Sequence, residues 1–144
     1  MLRHRMDAKL QILARVPFFS GASAAEHAQL AQATDIVSAE PGATLVAQGR
    51  AGHEFFVILE GTAEVRRDGR PVATLGPGEC FGELALLDSR PRSASVVARS
   101  RMSLVVMEGR SFRALLTEAP AFSNALFTYL AERLRAADDK VFAG

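Results

Sequence analysis

Glycine and proline interrupt the middle of this sequence at short intervals, and their spacing limits the folds available to the chain. Between residues 35 and 107 the apolar residues form short runs, separated by turn signals at Pro41-Gly42, Gly49, Gly52, Gly61, Asp68-Gly69 and Gly76-Pro77-Gly78. Several short strands with such corners are typical of a jelly roll or a barrel. Asp68-Gly69 is the strongest hairpin signal, because both residues tolerate the positive φ of a type I′ turn.

Helical patterns flank this β region on both sides. Before it, apolar residues recur at helical spacing to about residue 34, and Ser23 and Glu26 have the spacing of a capping box at the start of a second helix. After it, residues 111–137 are predicted to be helical, with Pro120 as the first residue of the last helix. The sequence therefore predicts one mainly β domain over residues 1–144, with the last helix packed on the β region.

The composition argues against several classes of protein. The 17 Lys and Arg residues nearly balance the 16 Asp and Glu residues, whereas binding to nucleic acid needs uncompensated positive charge. No apolar run reaches the roughly 18 residues of a membrane span, and the basic N-terminus lacks the apolar stretch of a signal peptide. Cys80 is the single cysteine and has no disulfide partner in the chain. These features predict a cytoplasmic protein that does not insert into a membrane.

One segment between two predicted strands has the residues of an anion site. It spans residues 81–96 and reads FGELALLDSRPRSASV. Gly82 lets the backbone approach a ligand, and a short helix after it would leave its first N–H groups without partners. Arg92 follows the stiff Pro91, and its planar guanidinium can donate to two phosphate oxygens, while Ser93 adds a hydroxyl. The segment therefore predicts a phosphate-binding site.

Glu83 lies in the same segment and would repel a phosphate bound beside it. The conflict disappears if this carboxylate accepts hydrogen bonds from sugar hydroxyls. A phosphate-binding arginine and a hydroxyl acceptor in one site indicate a nucleotide whose phosphate and ribose hydroxyl lie close together. The alternative is that Glu83 is only a helix N-terminal acid, favoured there by the helix dipole.

Residues 81–96 resemble the phosphate-binding cassette of the cyclic nucleotide-binding domain family, found in catabolite activators, cyclic-nucleotide-dependent kinases and gated channels. The family pattern, F-G-E-(L/I)-A-L-(L/M), a short spacer and P-R-(S/T/A)-A-(T/S)-V, is matched at every defined position. Residues 49–61, GRAGHEFFVILEG, are similar to the family's glycine-cornered signature, and residues 76–79 to the turn before the cassette. His53 and Cys80 depart from the family's usual acidic and aromatic residues, and neither is expected to touch the ligand.

The resemblance implies a double-stranded β-helix, or jelly-roll β-roll, over residues 35–107, with N-terminal helices before it and C-terminal lid helices after it. It implies that Arg92 pairs with the cyclic phosphate and that Glu83 accepts from the ribose 2′-hydroxyl. It also implies that backbone N–H groups near Gly82, Leu84, Ala85 and Ser93 would complete the phosphate cradle. The last helix would cover the base, with Tyr129, Leu130 and Arg133 as the candidate contacts.

The function implied by this resemblance is a binding module and not an enzyme. The module would bind cAMP, or alternatively cGMP, and would move its C-terminal helix in response. Ser93 leaves the choice of base open, because a hydroxyl at this place accompanies tolerance of guanine in the family. No cofactor is expected besides this ligand. Hydrolysis of the cyclic phosphate ester would need metal ligands or a general acid and base beside it, and the sequence shows no such group of residues. The effector stays open, as does a homodimer through the last helix.

Two other functions remain as alternatives. A Crp/Fnr-like transcription regulator shares the β-roll and the long helix but continues into a helix-turn-helix, and this sequence stops at Gly144, so the chain alone is not expected to bind DNA. A cupin-like metalloprotein would need grouped ligands, whereas His4, His27 and His53 lie in three separate segments and are interpreted as surface residues.

Two further features are interpreted as structural. Cys80 lies among apolar residues without an adjacent histidine, which favours a packed and inert thiol. Arg66 and Arg67 precede the predicted Asp68-Gly69 turn and are interpreted as solvated residues at the tip of a hairpin.

Overall fold

Two antiparallel sheets of four strands each form the centre of the molecule. The computed structural model describes residues 2–143, with side chains described for residues 6–139. The strands are β1 (Thr34–Ala39), β2 (Thr44–Val46), β3 (Glu54–Glu60), β4 (Ala63–Arg67), β5 (Arg70–Leu75), β6 (Cys80–Phe81), β7 (Ser95–Ala98) and β8 (Met102–Glu108). The helices are α1 (Leu2–Arg15), α2 (Ala24–Ala33), α3 (Glu83–Asp88), α4 (Gly109–Glu118) and α5 (Pro120–Ala143), with a 3-10 turn at Pro17–Phe19.

The strand order confirms the predicted β-roll. One sheet has the order β1-β8-β3-β6 and the other has the order β2-β7-β4-β5. Strands that are neighbours in space are therefore mostly distant in sequence, as jelly-roll topology requires. Cassette helix α3 connects one sheet to the other, because it lies between β6 and β7.

Strand β3 is buried on both faces and separates two apolar clusters. Phe56 and Ile58 belong to the cluster between the sheets, which also contains Leu75 and Val96 from the second sheet. Phe55 and Val57 point to the opposite face, because successive side chains of a strand alternate. Their cluster includes residues from α1, α2, α4, α5 and the 3-10 turn, so the helices pack on the outer face of the first sheet.

The local signals for turns and caps are confirmed. Asp68 and Gly69 connect β4 to β5 with φ values of 54° and 77°. The Ser23 hydroxyl accepts from the backbone N–H of Glu26, and the Glu26 carboxylate accepts from the backbone N–H of Ser23. Pro120 begins the last helix, as expected. This helix extends to Ala143, past residue 137, because no Gly or Pro interrupts residues 138–143 although the apolar periodicity has ended.

Glu26 also connects the two ends of the domain. Its second carboxylate oxygen accepts from the backbone N–H of Ala121 at 3.0 Å, so one side chain caps both α2 and α5. This second bond is the largest of the causes that lower the pKa of Glu26. Sequence spacing showed only the local half of the contact, because the other half joins residues far apart in the chain.

Candidate ligand-binding site

A cavity of about 450 Å³ lies between the β2-β7-β4-β5 sheet, helix α3 and helix α5. Its walls come from Val46, Val65, Arg67, Leu75, Phe81, Gly82, Glu83, Leu84, Ala85, Arg92, Ser93, Ala94, Val96, Leu130, Arg133 and Leu134. All six residues predicted from the cassette line this cavity, and so do two of the three residues predicted on the last helix. The exception is Tyr129.

Arg92 is buried at the base of the cavity, although its side chain is charged. Only 7% of the residue is exposed. Its two terminal amino groups donate to the carbonyl oxygens of Gly82 and Glu54, each at 2.7 Å. Burial lowers the pKa of the guanidinium, and the carboxylates of Glu54 and Glu83 oppose that shift. A bound anion would therefore replace solvation that the buried cation has lost.

Two glycines make room for the Arg92 side chain. A Cβ atom at Gly52 would lie 2.8 Å from the Arg92 guanidinium carbon and 2.7 Å from the Ala85 Cβ. At Gly82, where φ is 94°, a Cβ would lie 2.8 Å from an Arg92 nitrogen and 2.7 Å from the Glu54 carbonyl oxygen. The sequence indicates only a turn at Gly52. Its place in the 49–61 signature was the one sign of a closer role.

The backbone around Arg92 is fixed by a loop that is distant in sequence. The Arg92 N–H donates to the carbonyl of Arg50 at 2.8 Å, and the N–H of Gly49 donates to the carbonyl of Arg92 at 2.9 Å. These paired bonds hold the end of the cassette against the loop between β2 and β3. The position of the guanidinium is thus set before any ligand arrives.

Helix α3 begins at the cavity wall. Gly82 is its N-cap residue in the left-handed conformation, and Glu83, Leu84 and Ala85 form its first turn. The N–H groups of a first turn have no acceptor within their own helix. Together with Arg92 and Ser93 they surround one end of the cavity with donors, which suits an anion.

Glu83 is the buried acid in this otherwise cationic end of the cavity. Only 4% of the residue is exposed, and its Oε2 atom has no hydrogen-bond partner among the described residues. Burial raises the pKa of this carboxyl, while its own backbone N–H, Arg133 and Arg92 favour the charged form. A buried oxygen without a donor is costly and rare. A hydroxyl group of a ligand would satisfy it.

The Glu83→Gln variant is expected to bind a cyclic nucleotide more weakly, by about 1–3 kcal/mol, and to be more stable than the wild type at pH 7 without ligand. Folding raises the pKa of the Glu83 carboxyl, so the wild-type protein loses stability as the pH rises above about 4.3, the pKa of glutamate in an unfolded chain. The glutamine side chain does not ionise, so the variant avoids this loss. Thermal melting between pH 4 and pH 8 should show the gap in melting temperature shrinking toward the acidic end. Glu60→Gln, at an exposed carboxylate, is the control. A variant that melts below the wild type at pH 7 would contradict this explanation.

Tyr129 joins α5 to the strand under the cavity and does not line the cavity itself. Its hydroxyl donates to the carbonyl of Cys80 at 3.0 Å and accepts from the N–H of the same residue at 3.2 Å. Arg133 donates to this hydroxyl at 3.1 Å, with its guanidinium carbon 5.6 Å from the centre of the Tyr129 ring. Burial raises the pKa of Tyr129 to about 12, so the phenol stays protonated at neutral pH.

Three residues on α5 do reach the cavity wall. Leu130 and Arg133 were predicted as lid contacts, and Leu134 was missed. Leu134 is 65% exposed. Helical spacing places Leu130 and Leu134 one turn apart on the same face, so the pattern was visible in the sequence.

The described residues do not form a reactive cysteine site or a metal site. Cys80 is fully buried, and burial raises the pKa of its thiol well above the ordinary value, which fits the predicted inert packing. Within residues 6–139, no group of three or more His, Cys, Asp or Glu side chains is placed to hold a metal ion. His53 is exposed, as expected, whereas His27 is half-buried, and the His4 side chain lies outside the described residues. No helix in the described part of the chain is both long and apolar enough to cross a membrane.

The fold and the cavity together have the form of a small-ligand module: a jelly-roll whose cavity is lined by a buried arginine and a buried glutamate, with a helix at its wall. A family model described as the cyclic nucleotide-binding domain matches residues 36–119. The chain belongs to the cyclic nucleotide-binding domain family.

Three known proteins with similar sequences are cAMP-dependent protein kinase regulatory subunits. The chain is 39% identical over 115 residues to a cAMP-dependent protein kinase regulatory subunit from Mycosarcoma maydis, a match that covers 74% of this chain and 22% of that protein. The chain therefore spans about a quarter of the length of these relatives, since the matches cover 22% to 28% of each relative.

Solved structures show the same fold in two kinds of regulator. The regulatory domain of Toxoplasma gondii PKA in a co-crystal structure with cAMP has a TM-score of 0.77 and 28% identity, covering 90% of this chain and 51% of that chain. The Thermus thermophilus catabolite activator protein has a TM-score of 0.76 and 32% identity, covering 88% of this chain and 62% of that chain. The β-roll with flanking helices is thus shared with both.

Proposed function

We propose that this domain binds a purine 3′,5′-cyclic nucleotide and that its main ligand is cAMP. The observation that carries the proposal is the presence of buried Arg92 and buried Glu83 in one cavity. Arg92 is a cation beside the first turn of α3, and Glu83 has a carboxylate oxygen that no described residue donates to. A ligand with an anion and a hydroxyl side by side satisfies both. The match to cAMP-dependent kinase regulatory subunits and to a domain crystallised with cAMP supports adenine as the base.

Each part of the ligand would meet a different part of the cavity. The cyclic phosphate would accept hydrogen bonds from Arg92, Ser93 and the first N–H groups of α3. The ribose 2′-hydroxyl would donate to Glu83. The base would lie against the apolar inner face formed by Val65 and other residues of the second sheet, and α5 would cover it. No step in this arrangement breaks a bond of the ligand, so we propose a receptor without catalytic activity.

Binding would act on α5 through the residues that join it to the cavity. Arg133 lines the cavity, contacts Tyr129 and favours the charged form of Glu83, while Tyr129 is bonded to the backbone of Cys80. A ligand shifts a conformational equilibrium only by its difference in affinity for the two states. Contacts made by Leu130, Arg133 and Leu134 supply such a difference. We propose that the helix passes this signal to a partner protein or a neighbouring domain in the cytoplasm.

Titration calorimetry of the purified chain with cAMP tests this proposal, with 5′-AMP as the matched control. Saturable binding of one cAMP per chain is expected. Binding of 5′-AMP should be at least about tenfold weaker, because its phosphate dianion extends further from the ribose than the cyclic phosphate does and costs more to remove from water. Hydrogen exchange in α5 should slow when cAMP binds. Absence of saturable binding by cAMP and cGMP alike would overturn the proposal, and unchanged exchange in α5 would overturn the coupling to the helix.

A further inference from the structure

Ser93 is an exposed serine at the end of the cavity that is assigned to the phosphate. Its hydroxyl makes no hydrogen bond to another described residue, and its carbonyl oxygen accepts from the Nε of Arg67 at 3.3 Å. Buried Arg92 precedes it in the chain and lines the same cavity. Ser93 therefore lies next to two arginines, one buried and one exposed.

The proposed function leaves Arg67 without a contact to the ligand. Arg67 is the last residue of β4, and it lines the cavity instead of only being solvated at the hairpin tip, as its sequence position indicated. The tip is held in place, because the Gln48 side chain accepts from the backbone N–H of Asp68 at 2.8 Å and donates to the Asp68 carboxylate at 2.9 Å. A cyclic phosphate carries one negative charge, which Arg92 alone balances. Two guanidinium groups suit a dianion better.

Phosphoserine is such a dianion. At neutral pH its phosphate group carries nearly two negative charges and has three acceptor oxygens, and arginines beside it form charge-assisted hydrogen bonds with them. A phosphoryl group on the Ser93 Oγ would lie at the end of the cavity that a cyclic nucleotide needs for its own phosphate. The two phosphates would compete for Arg92 and repel each other.

We infer that Ser93 is a phosphorylation site and that its phosphoryl group excludes the cyclic nucleotide from the cavity. This inference rests on the proposed function. A protein kinase would transfer the γ-phosphoryl group of ATP: the bond between Ser93 Oγ and phosphorus forms, the bond from the γ-phosphorus to the β–γ bridging oxygen breaks, ADP leaves, and the hydroxyl proton passes to the base of the kinase. Exposed Arg90, three residues before Ser93, suits a kinase that selects substrates by positive charge.

The segment that carries Ser93 reaches a kinase by local opening. Residues 89–94 lie between α3 and β7 and belong to neither. Arg92 holds them to the preceding loop through its backbone bonds with Arg50 and Gly49. Opening of such a segment costs less free energy than unfolding of the domain. A nucleotide bound at Arg92 opposes the opening, so binding and phosphorylation exclude each other.

Titration calorimetry with cAMP tests the exclusion on the full chain carrying phosphoserine at residue 93. The affinity should fall at least about thirtyfold relative to the unmodified chain, the lower end of the loss expected when the Arg92 contact is removed. Ser93→Ala lacks the hydroxyl but adds no charge, and it should lose less than about tenfold. Phosphoserine at residue 38 is the matched control, because Ser38 is exposed on β1 in the other sheet, and it should leave the affinity unchanged.

Phosphorus NMR tests whether the two arginines hold the phosphoryl group. The second pKa of phosphoserine is about 6, and nearby guanidinium groups should lower it at residue 93 relative to residue 38. Arg67→Ala should raise this pKa again. Arg66→Ala should change it less, because the Arg66 side chain contacts Glu64 and does not line the cavity.

A kinase assay tests whether Ser93 is modified in the folded chain. The kinase is one that phosphorylates a synthetic peptide of residues 87–96 at Ser93, and mass spectrometry locates the phosphate in the chain. Phosphate is expected on Ser93 with ATP alone, more slowly in the Arg90→Ala variant, and saturating cAMP should prevent its addition.

The outcomes separate this inference from the proposed function. An unmodified chain that binds neither cAMP nor cGMP overturns the proposed function. If the unmodified chain binds cAMP and the chain with phosphoserine at residue 93 binds it equally well, the exclusion is overturned while cyclic nucleotide binding stands. Equal phosphate pKa values at residues 93 and 38 overturn the contact with the arginines. A folded chain that gains no phosphate on Ser93 overturns its assignment as a phosphorylation site.

Discussion

Replacing Arg92 with alanine is expected to weaken cyclic nucleotide binding by about 2–5 kcal/mol, the range found when one partner of a desolvated charge pair is removed. Each 1.4 kcal/mol is a factor of ten in the dissociation constant, so the constant rises by about 30-fold to about 4,000-fold. The loss is large because the cation is buried and fixed, with 7% of the residue exposed and two terminal amino groups held by the carbonyls of Gly82 and Glu54.

Two variants separate the role of the guanidinium from that of charge alone. Arg92→Lys keeps the positive charge but lacks the planar pair of donors, and we expect it to recover only part of the affinity. Arg90→Ala removes an exposed arginine from the same segment and should bind as the wild type does. Because alanine also leaves two carbonyls without their donor, melting curves must accompany the titrations. A folded Arg92→Ala protein with wild-type affinity would exclude this residue as the phosphate ligand.

The Phe122→Ala variant is expected to lose about 3–5 kcal/mol of unfolding free energy, as large aromatic truncations in a core do. Phe122 is 1% exposed and lies at the base of α5. Its ring centre is 5.8 Å from those of Phe18 and Phe112 and 6.0 Å from that of Phe55. One side chain therefore joins α5 to the 3-10 turn, to α4 and to strand β3. Urea unfolding measures the loss.

Phe127 provides the matched control on the same helix. Its side chain is 57% exposed, and Phe127→Ala should change the unfolding free energy by less than about 0.5 kcal/mol. If Phe122→Ala and Phe127→Ala were equally mild, α5 would not be held to the domain by the aromatic cluster. If both were severe, the face of α5 that carries Phe127 would be covered by a surface outside the described contacts.

The order of the elements and the cassette could be predicted because their signals are local. A type I′ turn needs residues that tolerate positive φ at two adjacent positions, and Asp68-Gly69 supplies them. A capping box needs a hydroxyl and a carboxylate three residues apart, as in Ser23 and Glu26. The cassette likewise places Gly82, Glu83 and Arg92 within one short segment, so its chemistry is visible without knowledge of the fold.

What the tertiary structure decided concerns contacts between segments far apart in the chain. The sequence alone determined that residues 81–96 carry a helix start, an arginine and an acid. Only folding brought Gly52 beneath Arg92, placed Arg67 on the cavity wall and turned the Tyr129 hydroxyl toward Cys80. The reason is physical: spacing in sequence fixes which side chains share a turn or a face, whereas packing of the two sheets and of α5 fixes which faces meet.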